Sequence, residues 1–214
     1  MSKFLSALVF GLSLACAAHA QDMGEWQEGK HYELVATPQA TTTGDKVEVL
    51  EAFSYACPAC NQAVPIVADI KKALPANAEF VYLPVQFASD AWKTFARGFY
   101  TAQALGIAEK AHADLFRAIY LDKKINSSAP TMDALAAFYA NYGVSAADFL
   151  ATSKSFAIET KLKRNEALVK ALGIDGTPAF VVNGKYRVSG RSAGGYDKLG
   201  ALINHLVAKE SAGR

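Results

Sequence analysis

The chain has 214 residues, 51% of them hydrophobic and 20% charged, with a formal net charge of +2. That is enough apolar material for one domain, or one domain carrying an insertion. No block of like charge is present, which makes nucleic acid and an anionic membrane surface poor partners. The N-terminus reads as an export signal: Lys3, an apolar run over residues 4–14, and the small-x-small ending Ala18-His19-Ala20, with cleavage expected after Ala20. The run is shorter than the roughly 20 residues that a membrane-spanning helix needs. Lipidation at Cys16 is the alternative, disfavoured because Ala17 and Ala18 follow it instead of a polar chain. Removing twenty residues from 214 leaves 194. Export would put them in an oxidising compartment, where disulfides persist.

Residues 32–36 suggest a short edge strand. "VEVLEAF", residues 47–53, is apolar and β-branched and predicts a buried strand. Residues 57–74 carry helical spacing, with Val64, Val67, Ile70 and Leu74 on one side and Pro65 expected to disturb one turn. "EFVYLPVQF", residues 79–87, returns to strand character. From Ser89 to about Gly173 the pattern is helical. Trp92, Phe95, Phe99 and Ala102 follow the 3.6 period up to Gly106, and Ala111, Leu115, Ala118 and Ile119 form a second stripe. Thr131 is placed to cap a helix that carries Leu135, Phe138 and Tyr139 and stops at Gly143. Ser145 with Asp148 resembles a capping box. A long helix follows, with Ile158, Leu162, Asn165, Val169 and Leu172 on one face. In "AFVVNGKYRVSG", Asn183-Gly184 between two strand-like runs predicts a hairpin, because a type I′ turn needs positive φ twice. Tyr196, Leu199, Ile203 and Leu206 give a closing helix. The expected architecture is an α/β core interrupted by a helical insertion: signal segment 1–20, sheet-forming part 21–88, insertion 89–164, and the rest of the sheet domain 165–214.

The mature chain would keep two cysteines, Cys57 and Cys60, in "SYACPACNQAVP". A structural zinc needs about four ligands, and His31, His112 and His205 are scattered. Covalent haem needs a histidine directly after the second cysteine, where Asn61 stands. A purely structural bridge would close too small a loop to constrain the unfolded chain much. Dithiol chemistry remains, and strand, cysteine pair and helix follow one another as in a thioredoxin-like site. At a helix start, unpaired N–H groups and the macrodipole favour a Cys57 thiolate. Cys60, one turn further in, should be the poorer nucleophile.

"LEAFSYACPAC", followed far downstream by "GTPAFVVNGKYRV" and separated by a helical insertion that includes "DAWKTFARGFYTAQALGI", resembles the DsbA-type periplasmic thiol:disulfide oxidoreductases of the thioredoxin superfamily. The likeness runs from about Val47 to the last helix. It implies a thioredoxin fold with an inserted all-helical domain, donation of disulfides to newly exported proteins, no metal or organic cofactor, and reoxidation by a DsbB-type membrane quinone reductase. It also implies a depressed Cys57 pKa and an oxidising couple, properties for which DsbA is itself a standard example. Three further residues carry over. Glu51, six before Cys57, matches the family's buried acid; pointing inward, it would have a raised pKa and could exchange a proton with Cys60. Pointing outward, it would be a solvated strand carboxylate. Pro178 matches the cis-proline opposite the cysteines, and Thr177 before it would pair its backbone with an extended client and set a hydroxyl beside the sulfurs.

The chain departs from the best-known members at Ala59, where they carry histidine. It also has no lysine over residues 80–85 to pair with Glu51. The first departure predicts a less acidic Cys57 and a weaker oxidant. A disulfide isomerase or reductase on the same fold, and a peptide-binding chaperone that merely keeps its cysteines, are the other readings. Isomerases of this class carry a dimerisation module, for which the segment from Gln21 to the first core strand is short, so a monomer is expected.

Overall fold

The structure, a computed structural model, describes residues 26–87 and 89–213. The candidate signal segment, with Lys3 and Cys16, lies outside the described residues. Strand β2 (Val47–Phe53) is the axis of the fold, buried along its whole length. Its apolar run makes this possible, because both faces of the strand are covered. It pairs in parallel with β3 (Ala78–Pro84) and antiparallel with β4 (Ala179–Val182). Beyond β4 come β5 (Tyr186–Val188) and the two-residue β1 (Glu33–Leu34), both antiparallel, giving the order β1-β5-β4-β2-β3.

Period-2 alternation splits β2 between two cores. Val47 and Val49 pack with α1 (Pro58–Ala73) and α7 (Tyr196–Ala212), together with Phe180, Leu199, Ile203 and Leu206. Leu50 and Ala52 face the other way, against Val169 and Leu172 of α6 (Phe156–Ala171) and the segment following it. Phe53, at the strand's end, enters a third cluster with Tyr55, Phe95, Phe99 and Phe116. That cluster joins the sheet to the insertion: α2 (Asp90–Ala104), α3 (Ala108–Tyr120), α4 (Met132–Tyr139) and α5 (Ala146–Ser153). Each buried ring there contributes roughly 1.5–3 kcal/mol relative to exposure, so the insertion is held to the sheet beside the cysteines.

Local signals act where they were read. Thr131 Oγ1 accepts from Ala134 N at 3.1 Å and Ser145 Oγ from Asp148 N at 3.0 Å. Asn183 and Gly184 have φ of 51° and 66°, as a type I′ turn requires. Four boundaries differ. The edge strand shrinks to Glu33–Leu34, because only these two residues reach the edge of β5. Strand β3 stops at Pro84; Val85 N still bonds Phe53 O at 2.7 Å, but Phe87 turns to φ 38° and leaves the sheet. The buried stripe of α1 is Cys60, Ala63, Val67 and Ile70, with Val64 at its margin and Leu74 already an extended C-cap. Pro65 lies on the exposed side without ending the helix. The junction expected at 164/165 falls inside α6, one uninterrupted helix, so the chain returns to the sheet along that helix and not through a linker.

Candidate redox site

The loop between β2 and α1 fixes Cys57. Ser54 O accepts from Cys57 N at 3.0 Å, and Ser54 Oγ accepts from Ala56 N at 3.1 Å, closing a tight turn. Cys57 is then the N-cap of α1, in extended conformation, with Pro58 at the first helical position and no acidic residue in the first turn. Proline suits that position because its missing N–H would be unpaired there anyway. No carboxylate competes for the helix N-terminus, so its N–H groups are left to the sulfur.

Both cysteines are free thiols in this structure and differ in exposure: 8% for Cys57 and 1% for Cys60. Their acidities are driven apart. The Cys60 thiol donates to Cys57, and the Thr177 hydroxyl and the N–H groups of Cys60 and Ala59 add to it. Against the opposing effect of burial they bring Cys57 down to about 5. The same thiol–thiol bond and burial push Cys60 well above the ordinary thiol range. Residue 59 thus acts through its backbone, which an alanine supplies as well as a histidine.

Across from the sulfurs, the Thr177–Pro178 bond is cis, and Cys57 Sγ donates to Thr177 O at 3.4 Å. Thr177 Oγ1 is buried without a hydrogen-bond partner in the dithiol form, so it is available to whichever sulfur carries charge. Glu51 lies beneath, 3% exposed and in register with Tyr82 of β3 and Phe180 of β4. β2 carries a second buried acid, Glu48, whose Oε2 accepts from Thr42 N and Oγ1 at 2.8 Å each. Glu51 Oε2 has no such partner. Burial pushes Glu51 up to about 8, against the pull of Lys71 and with a small push from Cys57.

Lys71 was not among the residues the sequence singled out. β3 supplies no lysine, but α1 brings one in from the side. Cys60, Val64, Val67 and Lys71 fall at i, i+4, i+7 and i+11 on that helix and line one cleft of about 250 Å³ with Glu51, Tyr82, Glu109 and His112. His112 Nδ1 lies 2.9 Å from Tyr55 Oη, and its ring packs on Tyr82 at 4.1 Å between centroids. Burial holds it down to about 3, so it is neutral. A separate cavity of about 390 Å³ lies on the other face of the sheet, under α6, and reaches neither cysteine.

A helix N-cap cysteine with a buried dithiol partner, a cis-proline beside it and a carboxyl below is an arrangement for thiol–disulfide exchange. The DSBA-like thioredoxin domain family matches residues 48–199. The thiol:disulfide interchange protein DsbA of Pseudomonas aeruginosa is 34% identical over 206 residues, covering 96% of this chain and 92% of the relative. Its crystal structure superposes with a TM-score of 0.79 over 88% of this chain and 96% of that one. DsbA of Xylella fastidiosa gives 0.80 at 29% identity, over 85% and 96%. Sequence, fold and the geometry around the two sulfurs agree, and the chain belongs to the DsbA family of thiol:disulfide oxidoreductases.

Proposed function

We propose that this chain donates disulfides to exported polypeptides, acting as a monomer in the periplasm after loss of residues 1–20. Parts 21–88 and 165–214 supply the chemistry, and the insertion 89–164 covers it. A client thiolate attacks Cys57 Sγ of the oxidised pair. The Cys57–Cys60 bond breaks, and Cys60, keeping the bonding electrons, takes a proton from Glu51. A second client thiolate then attacks the client sulfur of the mixed disulfide, and Cys57 departs as a thiolate. The client has gained a disulfide and lost two electrons; the enzyme has become a dithiol. A DsbB-type membrane quinone reductase accepts those electrons and restores the bridge, and the cycle calls for no metal or organic cofactor. The backbone of Thr177, ahead of Pro178, pairs with the extended client.

The observation that carries this reading is the opposed acidity of the two sulfurs. A Cys57 thiolate stabilised to about 5 leaves easily and makes the reduced state the comfortable one. The test mixes oxidised protein with a reduced two-cysteine peptide. An equimolar amount of peptide disulfide is expected from the wild type; Cys60→Ser, which has no bridge of its own and is therefore offered the peptide in its disulfide form, should trap a mixed disulfide through Cys57, and Cys57→Ser should give neither. Exchange that survives in Cys57→Ser refutes the assignment. Equilibration with glutathione separates donor from reductase, since a potential near the thioredoxin value of about −270 mV marks a reductase. A mere peptide-binding chaperone would bind clients in both variants and oxidise none in the wild type.

A further inference from the structure

Glu51 is almost sealed from solvent and lines one cleft with Cys60, so a proton that it gives to Cys60 has to be replaced through that cleft. The cleft behind it offers a graded way out. Glu51 is 3% exposed, the Lys71 side chain 27%, and the Glu109 side chain 68%. Lys71 Nζ donates to Tyr82 Oη at 3.4 Å and pairs with Glu109, which reaches over from α3. Tyr82 is the β3 register partner of Glu51. Among the described residues lining this cleft, Lys71 is the single cation, because His112 is neutral. Glu51, whose buried Oε2 is unpartnered, lines the same space.

We infer that Lys71 is the positioning residue of the buried acid, that Glu109 of the insertion draws on the same positive charge from the solvent side, and that this cleft is the route by which Glu51 exchanges its proton with solvent. The inference rests on the assignment of Glu51 as the acid of Cys60. In the forward step the Cys57–Cys60 bond breaks, the Glu51 proton passes to Cys60 Sγ, and the carboxylate left behind faces the Lys71 ammonium until a solvent proton arrives. On reoxidation the Cys60 proton returns to Glu51 and leaves by the same way. Without the cation, an acid buried this deeply would hold its proton too tightly to turn over near neutrality. The other titratable groups around Glu51 are Cys57 and Cys60 on α1, Tyr82 on β3, His112 and Glu109 on α3, Tyr55 after β2, and Tyr196 on α7. None of them is a competing cation.

The test reads the Glu51 titration in the reduced protein by carboxyl carbon NMR, together with the pH midpoint of mixed-disulfide resolution. Lys71→Met should move both upward by about one pH unit, a tenfold gain in proton affinity, and Lys71→Arg should restore them. Glu109→Gln should move both downward, because it removes an anion and leaves Lys71 to Glu51 alone. Midpoints that stay put in Lys71→Met and Glu109→Gln, or that shift in the same direction, overturn the inference. Glu51→Gln is the control. A wild-type pH profile that survives it removes the assignment of Glu51 itself and this inference with it. Loss of that profile in Glu51→Gln, with Lys71→Met inert, sinks the inference alone.

Discussion

Replacing Glu51 by leucine removes a titrating group from a site that cannot solvate it, and the consequence for stability can be worked through. Glu51 is sealed from solvent with Oε2 unpaired, and burial raises it from an ordinary 4.5 to about 8. The folded pKa of this acid lies above the unfolded one, so between these values the folded chain holds a proton that the unfolded chain has released. Stability therefore falls as pH rises, in the reverse sense to a salt-bridged carboxylate. The penalty is absent below about 4.5, grows across the window, and levels off above about 8. At pH 7 roughly 2.5 pH units at about 1.4 kcal/mol each give about 3.5 kcal/mol; above pH 8 the total nears about 5 kcal/mol. Glu51→Leu should escape it. Urea unfolding of the reduced proteins at pH 4.5, 7 and 8.5 measures the gap between variant and wild type. Exchanging a polar for an apolar side chain adds a constant offset, which cancels when the gaps at two pH values are compared. The gap should widen by about 3 kcal/mol from pH 4.5 to 7. Parallel stability curves for the two proteins would show that the carboxyl is solvated or paired, and the proton-transfer role would lose its basis.

Three further outcomes follow from the same coordinates. Thiolate absorbance of the reduced protein should titrate with a midpoint near 5; a midpoint at the free-cysteine value of about 8.5 contradicts the site described here. Because the folded thiol pKa is depressed, its contribution is fully present above the unfolded value of 9 and is lost as pH falls through about 5. At pH 7 it amounts to about 2 kcal/mol after allowance for screening at the solvent edge, or roughly 40 mV toward an oxidising potential, which glutathione equilibration measures. Thr177→Val deletes a hydroxyl that stabilises the Cys57 thiolate and should raise that midpoint while leaving the fold intact; an unmoved midpoint removes the hydroxyl from the account. Gly184→Ala puts a Cβ at φ 66° against the backbone of Gln39 and should cost about 1–3 kcal/mol in urea unfolding, whereas a neutral change would mean the turn relaxes.

The elements were legible because each rested on a local rule. Asn183-Gly184 can hardly be anything but a type I′ turn, Thr131 and Ser145 are caps with nearby N–H donors, and a run such as Val47–Phe53 has to be covered on both faces. The failures came where tertiary partners decide. Whether residues 32–36 make a strand depends on how far β5 extends, and whether 85–87 remain in the sheet depends on the turn at Phe87. The candidate site divides in the same way. Cys57, Cys60 and the proline at 178 stand in short motifs. Lys71 does not: it was sought on β3, where its charge would lie beside Glu51 in register, and it arrives from α1 three turns below Cys60. The stripe 60, 64, 67, 71 was present in the sequence, but which face of α1 turns toward Glu51 is set by packing against the sheet.

Two acids in this site are displaced in opposite directions by different physics, and in the proposed cycle that difference gives the chemistry its direction. Cys57 is lowered by donors aimed at it: a thiol, a hydroxyl and two backbone N–H groups, all fixed by the start of α1 and by the segment at Thr177. Such donors favour the anion wherever they converge, which is why a sulfur with only 8% exposure still ionises. Glu51 is raised by burial with Oε2 left unpaired, on a strand whose other buried acid, Glu48, accepts two hydrogen bonds at Oε2. Exchanging these environments would make the outer sulfur a protonated, sluggish leaving group and the inner carboxyl a fixed anion with no proton to give Cys60. The Ala59 position fits the same logic. Its side chain offers no hydrogen bond, so the depression comes from the Cys60 thiol first, then the Thr177 hydroxyl and the N–H groups of Cys60 and Ala59.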